Sequence, residues 1–436
     1  MPVLVFTRKQ TPRITYIFGL LLVDVLGVDA VAFTEDPEAF QAFSGPKINY
    51  STLLLKGGLQ CMPHNLLAES GISPQPISVT KHQGLPIFFQ VENSVLPFDV
   101  FAAAFYLVSR YEEYLPYKAD KHDRFTPSES LAYKHNFLEL PVVNLWAGWL
   151  REALKTHFPQ LEFSPKPYSF IPTVDVDNLF AYRGKGPKRI VGAALRDGLK
   201  LKLSEVANRA GAVVRIKKDP YNTFAMQNEL HREAGLPNIY FMLFAEFAEF
   251  DRNLPMHSPL MKRKVRKMSK ETTVAIHPSY RSNIDPAIVR YEKDALAKVI
   301  GQPVTQSRQH YLKMKLPDTF RNLVELGITD DYTMGYAAMP GFRASMATPY
   351  LFYDLEAETT LPLTMHPFML MDVTFIDYLG VSPAMALPRM KKVADATRAV
   401  NGQLITVFHN RVFSEKEKAW KGWVNLYKEF LTYAKP

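Results

Sequence analysis

The spacing of apolar positions changes character near residue 165. Before it, short apolar runs and helical patterns mix without a repeating unit. FDVFAAAFYLVSRYEEYLPY (98–117) has helical apolar spacing and stops at Pro116, and LPVVNLWAGWLREALKTHF (140–158) reads as a second amphipathic helix. After it, apolar runs alternate with helical patterns. The strand candidates are YSFIPTVDV, NIYFMLF, TTVAIHPSY, PVTQSRQHYL, LPLTMHPFML and GQLITVFHN. Between them lie FAMQNELHREAG, DPAIVRYEKDALAKVIG, PDTFRNLVELG and PRMKKVADATRAVNG, helical in period and mostly ending near glycine, a common helix stop. Ser414 and Glu417 stand in capping-box spacing and predict the start of a last helix. Repeated β-α units imply parallel strands, hence a barrel or an open doubly wound sheet. LEFSPKPYSF, with Pro165 and Pro167, is the expected junction, giving an N-terminal α/β domain over 1–165 and a second domain over 166–436.

A chain of 436 residues exceeds what one core usually organises, which agrees with two domains. Its 47% apolar and 22% charged residues are those of an ordinary globular protein. Cys61 is the single cysteine, so neither an intrachain disulfide nor a multi-cysteine zinc site is available, which suits a reducing compartment. The most apolar run, ITYIFGLLLVDVLGVDAVAF, is broken by Asp24 and Asp29, and the N-terminus lacks the layout of a secretory signal. The expected location is therefore cytoplasmic. A net charge of +9 would suit an anionic partner, but the basic residues are spread along the chain and no nucleic-acid-binding signature accompanies them. The expectation is a solvated basic surface and no nucleic acid, with peripheral contact to a membrane or a lipid-linked glycan as the other reading. RGKGPKR (183–189) reads as a basic loop, and MKRKVRKMSK (261–270) as the solvated face of a helix or a membrane-surface contact. There is no GxGxxG opening a helix, no Walker loop and no GxSxG elbow, which argues against nucleotide binding and serine-hydrolase chemistry.

Polar residues gather where the predicted strands end. Asp175 and Asp177 are two apart on a strand and share one face, and paired anions repel unless a cation or a shared proton lies between them. His277 and Ser279, Arg308 and His310, and His409 with Asn410 end three further strands. Chemistry at the carboxyl ends of strands is the habit of barrel enzymes. A lone His at such a place is usually a satisfied structural group, and the recurrence is what points to a functional cluster.

The motif order TVDVD, HPSY, SRQHYL, GFRAS, VFHN resembles the polysaccharide deacetylases, carbohydrate esterase family 4, over about 168–436. The first part, with SRYEEYLP and DRFTPSESLAYKHNFLELPVVNLW, is similar to an uncharacterised domain that precedes the barrel in a bacterial branch of that superfamily. The resemblance implies a distorted (β/α) barrel of the NodB type, a carbohydrate substrate, a divalent metal ion such as zinc or another transition metal, and hydrolytic removal of acetyl groups. The family's first motif is TFDDG. Thr173 and Asp175 match its start, Val176 stands where the family's metal-binding Asp would be, and Asp177 follows. The implied base is Asp175 and the implied ligand Asp177, with the two roles open to exchange. The second motif carries two metal-binding His four apart; His277 matches the first, and Arg281 occupies the place of the second. His310 either replaces the missing ligand or merely packs. Arg308 matches the Arg that orients the base, His409 matches the late general acid, and Asp372 in MLMDVTF corresponds to the acid that positions that His. Two other readings stand beside this one: glycosidic cleavage by two carboxylates, and a catalytically inactive carbohydrate-binding barrel.

Overall fold

VLVFT at the start of the chain is almost wholly buried, as a strand flanked by neighbours on both sides must be. In the computed structural model, which describes residues 1–185, 203–214 and 216–436, it is β1 (Val3–Thr7) of a four-stranded parallel sheet. With β2 (Val31–Thr34), β3 (Lys47–Tyr50) and β4 (Leu59–Gln60) the order is β2-β1-β3-β4. A hairpin follows, β5 (Thr80–His82) with β6 (Leu85–Ile87). The helix Val100–Val108 is apolar on every side, and every residue in it is buried. Its Phe101 stacks on Phe18 with ring centroids 3.7 Å apart. This helix is shorter than its pattern predicts. Arg110 adopts a left-handed conformation at φ 56 and folds back on Glu112 and Glu113, at 2.8 and 2.7 Å, so Tyr111–Tyr114 becomes a single 3-10 turn.

The second sheet holds β7 (Ser169–Val176), β8 (Ile239–Met242), β9 (Thr273–Ile276), β10 (Gln306–Ser307), β11 (Asp330–Asp331), β12 (Tyr350–Asp354), β13 (Thr359–Met365), β14 (Leu370–Met371) and β15 (Gln403–His409). Its order is β12-β13-β11-β10-β9-β8-β7-β15-β14, parallel throughout except for the antiparallel pair β12 and β13. Among the described residues the ladders form an open series that begins at β12 and ends at β14. LPLTMHPFML, expected as one strand, is two: β13 pairs with β11, whereas β14 pairs with β15. The helices Phe224–Ala234, Pro286–Ile300, Asp318–Glu325 and Pro383–Arg398 lie between strands where their periodicity placed them. The last helix does not start at the expected capping box. Glu415 turns left-handed at φ 48, the Ser414 hydroxyl bonds the Arg411 carbonyl, and the helix Trp423–Ala434 begins after Gly422. The basic helix Pro259–Met268 buries Met261, Val265 and Met268. RGKGPKR lies outside the described residues from position 186 onward. No helix among the described residues is long and apolar enough to cross a membrane.

One apolar core carries Val5, Ile17 and Phe105 together with Val174, Met242 and Tyr353, so the two sheets share buried surface. SRYEEY and GFRAS meet across it. Buried Glu113 takes a bond from Arg110 and a paired set from Arg343 at 2.6 and 2.9 Å. Gly341, at φ 130, lies where an added Cβ would stand 2.4 Å from the Leu138 carbonyl oxygen, and Phe342 donates its N–H to that oxygen at 2.8 Å. Only glycine permits that approach.

Candidate functional site

Parallel strands bring their carboxyl ends to one edge, and that edge collects the polar residues. Asp175 in β7 stands opposite His409 in β15. His277 follows β9 directly, Arg308 follows β10, and Asp372 follows β14. Local bonds fix the turns beyond them. Asn253 reaches the Val176 and Leu243 carbonyls and accepts the Leu179 N–H, tying the ends of β7 and β8. Asn410 donates to the Asn178 and Tyr221 carbonyls. Glu292, whose carboxyl is pushed up to about 7 by burial, accepts the Ser279 N–H at 2.9 Å and holds the turn after His277.

Asp177, His277 and His310 offer three ligand atoms that lie within 4.8 Å of one another, all buried. His277 Nε2 is 3.5 Å and His310 Nε2 is 3.6 Å from Asp177 Oδ1. Each imidazole is anchored through its other nitrogen: His277 Nδ1 meets the Arg308 carbonyl, and His310 Nδ1 meets Asp251 Oδ1 at 2.8 Å. Anchored in this way, both rings turn the lone pair of Nε2 toward Asp177. Asp177 Oδ1 itself is buried without a hydrogen-bond partner among the described residues. An unpaired buried carboxylate oxygen is costly, and a cation between it and two imidazoles removes the cost. Two nitrogens and one oxygen at a cleft, with room for further ligands, fit a divalent transition metal. The residues present therefore fit such an ion.

Two supported groups flank the trio. On one side Asp175 Oδ1 accepts from Arg308 Nη1 at 2.7 Å, while its Oδ2 lies 3.7 Å from His277 Nε2. Arg308 is fully buried, bonds Thr173 Oγ1 and the Tyr332 carbonyl, and packs its guanidinium 4.1 Å from the centre of the Phe241 ring. On the other side His409 Nδ1 meets Asp372 Oδ1 at 2.7 Å, its N–H donates to Asp372 Oδ2, and its Nε2 stands 3.5 Å from Asp177 Oδ2. Burial opposes charge on Asp177, but His409, His277, His310 and Arg411 outweigh it and hold the carboxyl well below the usual range. Burial likewise works against charge on His277 and His409; the neighbouring Asp175 and Asp177 raise the first, and Asp372 and Asp177 raise the second.

All seven residues picked out in the sequence, Asp175, Asp177, His277, Arg308, His310, Asp372 and His409, are thus joined in one buried network. Others were not anticipated. Asp251, which anchors His310, sits in a loop without periodic signal, and Arg411, 3.0 Å from Asp177 Oδ2, had only its place next to VFHN to mark it. The network floors a cavity of about 850 Å³ whose wall includes Asp120, Lys121, His122 and Arg124 from the first part of the chain. Nothing in the sequence linked those four to the strand ends.

A family of unknown function, DUF7033, matches residues 3–159. No curated protein matches the chain. Among solved structures, a protein described as a polysaccharide deacetylase from Mycobacterium smegmatis aligns at 18% identity over 61% of this chain and 83% of its own, with a TM-score of 0.40. One described in the same terms from Pseudomonas aeruginosa PAO1 aligns at 13% identity over 62% of this chain and 85% of its own, with a TM-score of 0.38. An allantoinase aligns at 13% identity over 64% of this chain and 86% of its own, with a TM-score of 0.41.

Proposed function

We propose that this protein is a metal-dependent deacetylase that removes acetyl groups from nitrogen on a glycan or glycan precursor. The observation that carries the reading is the convergence of Asp177 Oδ1, His277 Nε2 and His310 Nε2 between an Arg-paired carboxylate and an Asp-paired imidazole. An amide hydrolase needs a base for water, charge stabilisation for the carbonyl oxygen and an acid for the leaving amine. A divalent ion held by the trio would acidify a water and polarise the acyl carbonyl. Asp175 is the base: Arg308 Nη1 holds its Oδ1 at 2.7 Å, and its Oδ2 faces the trio to take the proton of the attacking water. His409 is the acid. In its protonated form the ring bonds Asp372 through Nδ1–H and keeps Nε2–H toward the cleft, and that second proton is the one given to the departing nitrogen.

The same reading treats the second sheet as an interrupted barrel. Residues 359–371 serve both open sides, since β13 pairs with β11 and β14 with β15. Between those ladders the Phe368 N–H bonds the Met334 carbonyl and the Met369 N–H bonds the Ile405 carbonyl, both at 3.1 Å. One kinked segment thereby stands in for the closing strand. The division into a domain over 1–165 and a barrel over 166–436 belongs to this proposal.

The deciding experiment measures metal content and acetate release together, with N-acetylated oligosaccharides as substrate and Zn, Co, Ni and Mn each tried. Acetate must appear with at least one metal and vanish in Asp175→Asn. New reducing ends without acetate would mean glycosidic cleavage instead. Bound sugar with no product under any metal would leave an inactive carbohydrate-binding barrel.

A further inference from the structure

Tyr311 and Leu312 both adopt left-handed backbone conformations, at φ 60 and φ 54, directly after His310. Bulky residues rarely do so, and such strain persists only where the surroundings enforce it. Here the enforcing group comes from the first part of the chain. Arg124, buried and held by two bonds to Asp120 at 2.7 and 2.9 Å, donates to the Tyr311 carbonyl at 2.7 Å and to the Tyr378 hydroxyl at 3.0 Å. Beside it His122 places its ring 4.8 Å from Tyr311 and 5.8 Å from both Phe250 and Tyr280. Tyr311 is in turn 4.7 Å from His310 of the ligand trio.

We propose that the segment Asp120–Arg124 is part of the substrate site: the half-buried rings of Tyr311 and Phe250, braced by the buried His122 that packs against both, offer the aromatic surface on which a sugar ring of the substrate stacks next to the acetylated one. This rests on the function proposed above and adds how the substrate is held. The three side chains line the same cavity as Asp175, Asp177 and His409. An aromatic ring presents a negative face, which suits the C–H face of a pyranose. Exposed Lys121, Glu249 and Arg252 rim the same cavity with polar groups for hydroxyls. Arg124 is then a positioning residue: its guanidinium is engaged by Asp120, the Tyr378 hydroxyl and the Tyr311 carbonyl, and it fixes the backbone of Tyr311, whose side chain lines the cleft. The acidic and basic groups around the face are mixed, so the ring bound there is a neutral sugar.

The test separates sugar binding from turnover. In an Asp175→Asn background loaded with zinc, calorimetry measures the affinity for tetra-N-acetylchitotetraose and for acetylated xylotetraose. Tyr311→Ala, and His122→Ala by unbracing that ring, should each weaken the tighter of the two by about tenfold, the usual scale for losing a stacked ring. Zinc content and unfolding temperature should stay as in the parent. In the otherwise wild-type enzyme, His122→Ala should raise KM by a similar factor with kcat changed much less, and Arg124→Gln should do the same through Tyr311. Unchanged affinity in His122→Ala and Tyr311→Ala, or no measurable binding of either sugar by the parent, overturns the inference. Failure of the function proposed above looks different, since wild-type protein would then release no acetate while the stacking variants still changed sugar affinity.

Discussion

Asp251 Oδ1 lies 2.8 Å from His310 Nδ1, and the same oxygen accepts the Tyr280 N–H at 2.9 Å. A carboxylate behind an imidazole fixes its tautomer and strengthens the opposite nitrogen as a ligand. Asp251→Asn should therefore weaken metal binding by about 10- to 100-fold, the usual effect of removing such support. His310→Ala should weaken it further. Zinc affinity by competition with a chelator checks both, and unchanged affinity in His310→Ala would remove it from the ligand set.

Asp372 accepts two bonds from His409, one from the ring and one from the backbone. Asp372→Asn keeps the shape and can stabilise the wrong tautomer, so kcat for acetate release should fall by about a hundredfold or more, the usual worth of a general acid. Zinc content should not change. Loss of zinc in this variant would recast Asp372 as a support of the metal centre.

Glu113 is buried between Arg110 and Arg343 and is held below the usual carboxylate range, burial being outweighed by Arg343 and then Arg110. Glu113→Ala would leave the buried Arg343 guanidinium without its carboxylate, while Arg110 keeps Glu112, and an uncompensated buried charge costs about 3–5 kcal/mol. Denaturant unfolding should show that loss. A change below about 1 kcal/mol, as for an exposed pair, would mean the network relaxes to solvent.

Asp99 caps the helix Val100–Val108 and takes bonds from Phe101, Ala102, His64 and Tyr50, yet burial pushes its carboxyl up to about 6. Between the unfolded value, about 4, and about 6, the folded protein holds a proton that the unfolded chain has lost. This group's contribution to stability is thus present at low pH and declines as pH rises through that window. The stability difference between wild type and Asp99→Asn should shift in favour of wild type on going from pH 7 to pH 4.5. A difference that does not move with pH would show that the four donors, not burial, set the charge of Asp99.

Strong local periodicity made most elements after residue 165 legible, while the six short strands before it were not picked out. Six apolar runs after residue 165 became strands, and four amphipathic patterns became the helices between them. The seven polar residues at strand ends could be read because parallel strands alternating with helices bring their carboxyl ends to one edge, whatever the helices between them contain. Local rules stopped where long-range partners decided. β11 is only Asp330 and Asp331, and it exists because β10 and β13 supply its ladder. Arg110 ends a helix early because Glu112 and Glu113 draw it back, and Ser414 caps nothing because Glu415 turns left-handed. Asp251 and the segment Asp120–Arg124 reach the cleft from loops away from the predicted strand ends, and their positions depend on contacts with no period in the sequence. Pattern fixes which face of an element is apolar, and only the packing of those faces determines which distant loops meet over a strand end.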